Sequence, residues 1–120
     1  MIEEYKFGFI IIDGSRYEQD VEVRWTGEIL PWRRKESHVI DTDDIMRALE
    51  QNPRVIVIGT GESAAAIVTD GAKDEMSKRG IRMVIDATEQ ATKTFNIINE
   101  ESMEEEGFQE KIIGLFHLTC

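Results

Sequence analysis

Val55-Ile56-Val57-Ile58-Gly59-Thr60-Gly61-Glu62-Ser63 is an apolar run without polar alternation that stops on two glycines, a threonine and a serine. A strand wet on one face alternates apolar with polar residues, whereas a strand covered on both faces reads as an unbroken apolar stretch. Val55 to Ile58 therefore predicts a buried strand, the central one of a sheet, and the glycines predict the turn that ends it.

Downstream, Ser63 to Val68 carries no decisive period, but Asp70 opens a helical pattern through Met76 that ends in Lys78-Arg79-Gly80, with cations at the negative end of the helix dipole and a glycine past the last turn. Ile81 to Ile85 reads as another buried strand. Asp86 with Glu89 fits a capping box, and Ala87, Ala91, Phe95 and Ile98 recur at helical spacing. The acidic stretch Glu100 to Gln109 reads as a solvated helix end and loop, and Lys111 to Leu118 as a closing apolar strand. Two strand-helix-strand passages between Val55 and Leu118 predict a largely parallel sheet with right-handed crossovers.

Upstream, Phe7 to Ile12, the turn pair Asp13-Gly14, and Tyr17 to Trp25 predict an N-terminal β-hairpin. In its second strand Val21, Val23 and Trp25 alternate with Glu22 and Arg24, which predicts one buried and one wet face. Glu28 to Ile40, interrupted by Pro31, reads as loop or sheet edge. Asp41 can cap a helix carrying Ile45, Met46 and Leu49, and Asn52-Pro53 stops it. With these pieces the expected fold is α/β, with about three helices.

The 120 residues match the size of one domain, so residues 1–120 are taken as a single unit. With 41% hydrophobic and 32% charged residues the composition is globular rather than disordered. No apolar stretch reaches the ~20 residues of a spanning helix, and the N-terminus lacks the pattern of a signal peptide. A formal charge of −10 opposes adhesion to nucleic acid or to an anionic membrane. Cys120 is the single cysteine and cannot form an internal disulfide, so the cytoplasm is the expected location.

Two segments can carry chemistry. Glycines after a buried strand let the backbone present several N–H groups to one point, so Gly59, Thr60, Gly61 and Ser63 are a candidate anion loop, completed by Arg33 or Arg34. The loop matches neither a Walker nor a Rossmann fingerprint, and Gly61-Glu62-Ser63-Ala64-Ala65 lacks the last glycine of a nucleophile elbow. The competing reading is a turn that only ends a strand. The second segment, Trp32-Arg33-Arg34-Lys35, gathers three cations behind a tryptophan in an acidic chain, and Trp32, Arg33 and Lys35 form a candidate interaction patch. The only histidines, His38 and His117, are far apart, and His117 with Cys120 does not fill a zinc shell, so neither a metal nor a cofactor is expected.

Ile12-Asp13-Gly14, Tyr17, Asp20-Val21, Trp32-Arg33, Val57-Ile58-Gly59-Thr60-Gly61, Thr88, Ala91, Phe95-Asn96 and His117-Leu118-Thr119-Cys120 occur in an order that resembles one family. It is the small domain shared by archaeal and bacterial hypothetical proteins, the eukaryotic adipogenesis-associated domain protein and a mitochondrial assembly factor of respiratory complex I. The resemblance implies a compact three-layer α/β domain with a mixed central sheet and no established enzyme activity. Its shared features would fall here on Trp32, Arg33, Gly59, Thr60 and Gly61. The N-terminus lacks the basic amphipathic segment of a mitochondrial import signal. The expected function is a non-enzymatic interaction or assembly module that binds another protein or a second copy. The alternative is a small-anion or small-molecule binding protein or enzyme that uses the Gly59–Gly61 loop.

Overall fold

The computed structural model describes residues 1–104 and 110–120. In chain order the elements are β1 (Ile2–Lys6), β2 (Phe9–Ile12), β3 (Ser15–Tyr17), β4 (Val21–Arg24), β5 (Ile29–Pro31), β6 (Val39–Ile40), α1 (Thr42–Leu49), β7 (Val55–Thr60), β8 (Ile67–Val68), α2 (Asp70–Lys78), β9 (Arg82–Asp86), α3 (Thr88–Glu104) and β10 (Ile112–His117). The main sheet has the order β5-β4-β10-β7-β9. β7 runs parallel to β10 and β9, whereas β10 pairs antiparallel with β4, and β4 with β5. The sheet is therefore mixed, its parallel half on one side of β10 and its antiparallel half on the other.

Strand periodicity sorts the core into two layers. On β7, Ile56 and Ile58 join Ile113 and Leu115 of β10 in a cluster with Ile45 and Leu49 of α1 and Ala72 and Met76 of α2. Val55 and Val57 join Ile112 and Phe116 in a second cluster with Ala91, Phe95 and Ile98 of α3 and Ile2, Ile10 and Ile12 from β1 and β2. Each fully buried side chain of this kind contributes about 1.5–3 kcal/mol. The main sheet is thus the middle of three layers, which is the expected architecture. No helix among the described residues is long and apolar enough to cross a membrane.

Two of the three helices, α1 and α2, begin where their caps predict. Asp41 accepts the Thr42 N–H, and Asp44 Oδ2 accepts the Asp41 N–H at 2.8 Å, closing a capping box on α1. Thr69, one residue before the expected Asp70, caps α2 by accepting the Ala72 N–H, and Gly80 follows at φ +72°. Asp86 does not take the expected N-cap position with Glu89: it ends β9 and accepts the Ala87 N–H, and α3 begins two residues later at Thr88. Of the acidic stretch, Glu100 and Glu101 are exposed on α3, and the part from 105 to 109 lies outside the described residues.

The structure departs from the expectation in several places. The Asp13-Gly14 hairpin exists, but β1 joins it in a three-stranded sheet, and the chain leaves that sheet after Tyr17 so that Val21 to Arg24 enters the main one. Glu22 is 1% exposed rather than wet, because Arg24 Nε at 2.7 Å and Arg47 Nε at 3.1 Å compensate its charge on the α1 side of β4. β10, not the Val55 strand, is central. β9 is an edge strand, with Arg82, Ile85 and Asp86 exposed. The unassigned segment 63–68 supplies β8, which pairs in parallel with β6.

Candidate functional site

The C-terminal ends of β7 and β10 lie side by side, His117 opposite Thr60. A Cβ on Gly59 would stand 2.8 Å from Thr88 Oγ1 and 3.1 Å from the Phe116 ring, and one on Gly61, at φ +102°, would stand 2.6 Å from the Thr119 carbonyl oxygen. Both glycines are therefore required by close approach of the neighbouring chain. Thr88 Oγ1 accepts the Gly61 N–H at 2.8 Å and donates to the His117 carbonyl at 2.6 Å. Thr60 Oγ1 donates to the Asp86 carbonyl at 3.0 Å. The Glu62 N–H donates to the Thr119 carbonyl, and the Ala64 N–H to that of Gly61. The donors expected to converge on an anion thus fasten β7 to α3 and to the segment after β10. Ser63 is exposed beside them.

Arg34 reaches the same end of the sheet. Its side chain is 5% exposed, stacks on Trp32 with Cζ 4.7 Å from the ring centroid, and donates from Nη1 to Asp20 Oδ2 at 2.6 Å and from Nη2 to the Ser37 carbonyl at 3.0 Å. Nη2 also lies 2.9 Å from His117 Nδ1, which is 2.8 Å from Asp20 Oδ2. His117 Nε2 donates to the Cys120 carbonyl at 2.9 Å. With Nε2 carrying a proton, Nδ1 either accepts from Arg34 in the neutral ring or donates to Asp20 in the cationic one. Asp20 Oδ1 accepts the Leu118 N–H at 2.8 Å. Burial opposes ionisation of Asp20, but the His117 and Leu118 hydrogen bonds and the Arg34 charge outweigh it and hold its carboxyl below the usual range.

Of the sequence candidates, Arg34 therefore comes to the Gly59–Gly61 loop by way of His117, whose ring lies 3.1 Å from where a Gly61 Cβ would stand. Arg33 does not. It is exposed and lines a separate cleft with Glu22, Pro31, Trp32, Asp43, Asp44 and Arg47. Lys35 is exposed and pairs with Asp43 at 2.8 Å. Trp32 is 4% exposed and donates from Nε1 to the Asp44 carbonyl at 2.8 Å, so it belongs to the core, and Arg33 and Lys35 are the members of the candidate patch that meet solvent. His38 is exposed and follows Ser37, whose carbonyl accepts from Arg34 Nη2. Among the described residues no three acidic, His or Cys side chains are arranged to hold a metal.

Asp20, Thr88 and Glu22 are the structurally decisive polar groups that site reasoning on the sequence missed. Asp20 and Thr88 were visible as members of the family-like pattern, but nothing in their local sequence indicates partners ~30 to ~100 positions away. The chain belongs to the family described as "Protein of unknown function (DUF498/DUF598)", which matches residues 2–106. Its fold is similar to that of a conserved hypothetical protein from Pyrococcus horikoshii OT3, at 23% identity and a TM-score of 0.81, covering 100% of this chain and 99% of the other. It is also similar to a Bordetella parapertussis protein, at 17% identity and a TM-score of 0.81 over 98% and 93% of the two chains. A Xanthomonas campestris protein has 15% identity and a TM-score of 0.80 over 98% and 83%.

Proposed function

We propose that this member of the family is a non-enzymatic protein-interaction or assembly module whose docking element is the open edge of the main sheet at β9. The observation that carries this reading is the contrast between the two edges. β5 is three residues long, ends in Pro31, and has the Pro31 carbonyl occupied by Arg47 Nη2 at 2.6 Å. Those are the devices by which proteins blunt an edge against pairing. β9 has five residues, no proline and no lysine, and exposes Ile85 at 37%. A partner strand added there would gain main-chain hydrogen bonds and contacts to Met83, Val84 and Ile85.

Capture from an extract of the source cells tests this reading. A proline at position 85 removes an N–H that points away from β7 and leaves the β7 ladder whole. Proteins retained by the wild type are expected to be lost with Ile85→Pro and kept with the distant Lys73→Ala. An unchanged set with Ile85→Pro would remove β9 from the reading.

The alternative, a small anion at Gly59, Thr60, Gly61 and Ser63, has the nearness of Arg34 in its favour. It requires the ligand to compete with the internal acceptors of the Gly61, Glu62 and Ala64 N–H groups. A thermal-shift panel of phosphate, nucleotides and small carboxylates checks it, since ligand at a hundredfold over Kd adds about 2.7 kcal/mol.

A further inference from the structure

We infer that the strand taken up by β9 is β9 of a second copy, paired antiparallel about a two-fold axis at Val84. This rests on β9 being the docking edge, and it adds the partner and the register.

The first ground is the phase of the strand. The Arg82 N–H donates to the Arg54 carbonyl and the Asp86 carbonyl accepts from Thr60 Oγ1, so the main-chain groups of Arg82, Val84 and Asp86 turn toward β7. By alternation, those of Met83 and Ile85 turn outward, where β9 has no neighbouring strand among the described residues. In an antiparallel pair, two opposed residues exchange both hydrogen bonds at every second position. Centring the two-fold on Val84 sets Met83 opposite Ile85 of the other copy, twice, and all the outward N–H and C=O groups of these two residues are then satisfied. Val84 faces Val84 as a non-hydrogen-bonded pair, which is what its inward-turned main chain demands.

The second ground is charge. The strand reads Arg82-Met83-Val84-Ile85-Asp86, a cation and an anion at equal distances from Val84 with apolar residues between. The same register that satisfies the backbone puts Arg82 opposite Asp86 of the second copy at both ends. Both residues are exposed, and neither forms an ion pair with another described residue. Opposite charges placed directly across an antiparallel pair are stabilising and like charges destabilising. Met83 and Val84 are half-buried on opposite faces of β9, Met83 against the α1/α2 cluster and Val84 against the α3 cluster. A partner would extend both apolar layers. A parallel partner would set Arg82 against Arg82 and Asp86 against Asp86, so the strand discriminates against that arrangement.

Sedimentation equilibrium across the micromolar range, on the wild type, Arg82→Asp, Asp86→Arg and an equimolar mixture of the two variants, decides the matter. Each single variant carries like charges at both ends and is expected to dimerise roughly tenfold or more weakly than the wild type. In the mixture, Asp at 82 of one chain meets Arg at 86 of the other and the converse holds at the other end, so a heterodimer of near wild-type affinity is expected. The mixture also controls for folding, because a misfolded variant restores nothing. Ile85→Pro is expected to be monomeric. A wild type that stays monomeric overturns the second copy while leaving capture on β9 as the separate test of the docking edge. A dimer that tolerates both charge variants overturns the register, and one that tolerates Ile85→Pro overturns the edge itself.

Discussion

Asp20 stands between the Arg34 guanidinium, the His117 ring and a backbone N–H, and its carboxylate ties the β3–β4 connection to the end of β10 and the residue after it. Replacing it by Asn leaves Arg34, itself nearly buried, without its counter-charge, and breaking such a pair costs about 3 kcal/mol. Urea unfolding at neutral pH should read that loss for Asp20→Asn. The carboxyl is more acidic in the folded state than the 3.8 of an unperturbed aspartate, so its contribution is complete above 3.8 and fades as pH falls through the lower folded value. The difference between wild type and variant should shrink accordingly in acid. Tyr5 behaves in the opposite sense. Its phenol donates to the Leu118 carbonyl, and burial first, then the Glu62, Asp20 and Glu89 carboxylates, push its pKa to about 12. A raised pKa gives stability that is present below pH 10 and lost as pH rises through about 12. Phenolate absorbance in an alkaline titration should show one late-titrating group that disappears in Tyr5→Phe.

At the scale of elements, α1 offers a direct test of local coding. Asp41 accepts the Thr42 N–H and the Thr69 hydroxyl, the latter at 2.8 Å, so it joins the start of α1 to the start of α2. Asp41→Ala should cost about 1–2 kcal/mol in chemical denaturation, at the upper end of capping effects because the Thr69 bond is lost as well. The capped helices, the Asp13-Gly14 turn and the buried β7 were legible because each is written within about ten adjacent residues. The partner of each strand was not. Ile81 to Ile85 and Lys111 to Leu118 are both apolar runs, yet one is an edge and the other the centre. That difference arises from β4 inserting beside β10, a contact across some 90 positions that no local pattern records. Glu22 was misread for a related reason: alternation assigns it to the wet face, and only α1 arriving with Arg47 makes burial tolerable. The Gly59–Gly61 loop was legible as a turn, but Thr88 and Thr119, which occupy its N–H groups, lie 27 and 57 or more positions away by simple count.

For the molecule as a whole, the two apolar clusters share β7 and β10 as their common wall. Neither can lose its packing without exposing the back of the other, so unfolding should be all-or-none, as expected for a single domain of this size. Trp32 lies in the first cluster, whereas far-UV circular dichroism reports every element. In a Trp25→Phe background, which removes the tryptophan packed against both clusters, Trp32 fluorescence and circular dichroism should trace one superimposable denaturation curve, and an earlier Trp32 transition would show the α1/α2 layer to be separable. The Cα radius of gyration, 13.2 Å, agrees with the roughly 13–14 Å expected of a chain folded as one unit.

The position of β10 has a bearing on how the protein is made. Among the described strands it comes last in sequence yet lies in the middle of the main sheet, with β4 on one side and β7 on the other. A nascent chain that has emerged only to Lys111 lacks the strand that joins β5-β4 to β7-β9. Synthesis runs at roughly 5–20 residues per second, and throughout the translation of everything before Ile112 the sheet cannot close. Closure of the main sheet is thus deferred to the arrival of β10, and the interval before it is when chaperones have the most exposed strand edge to shield.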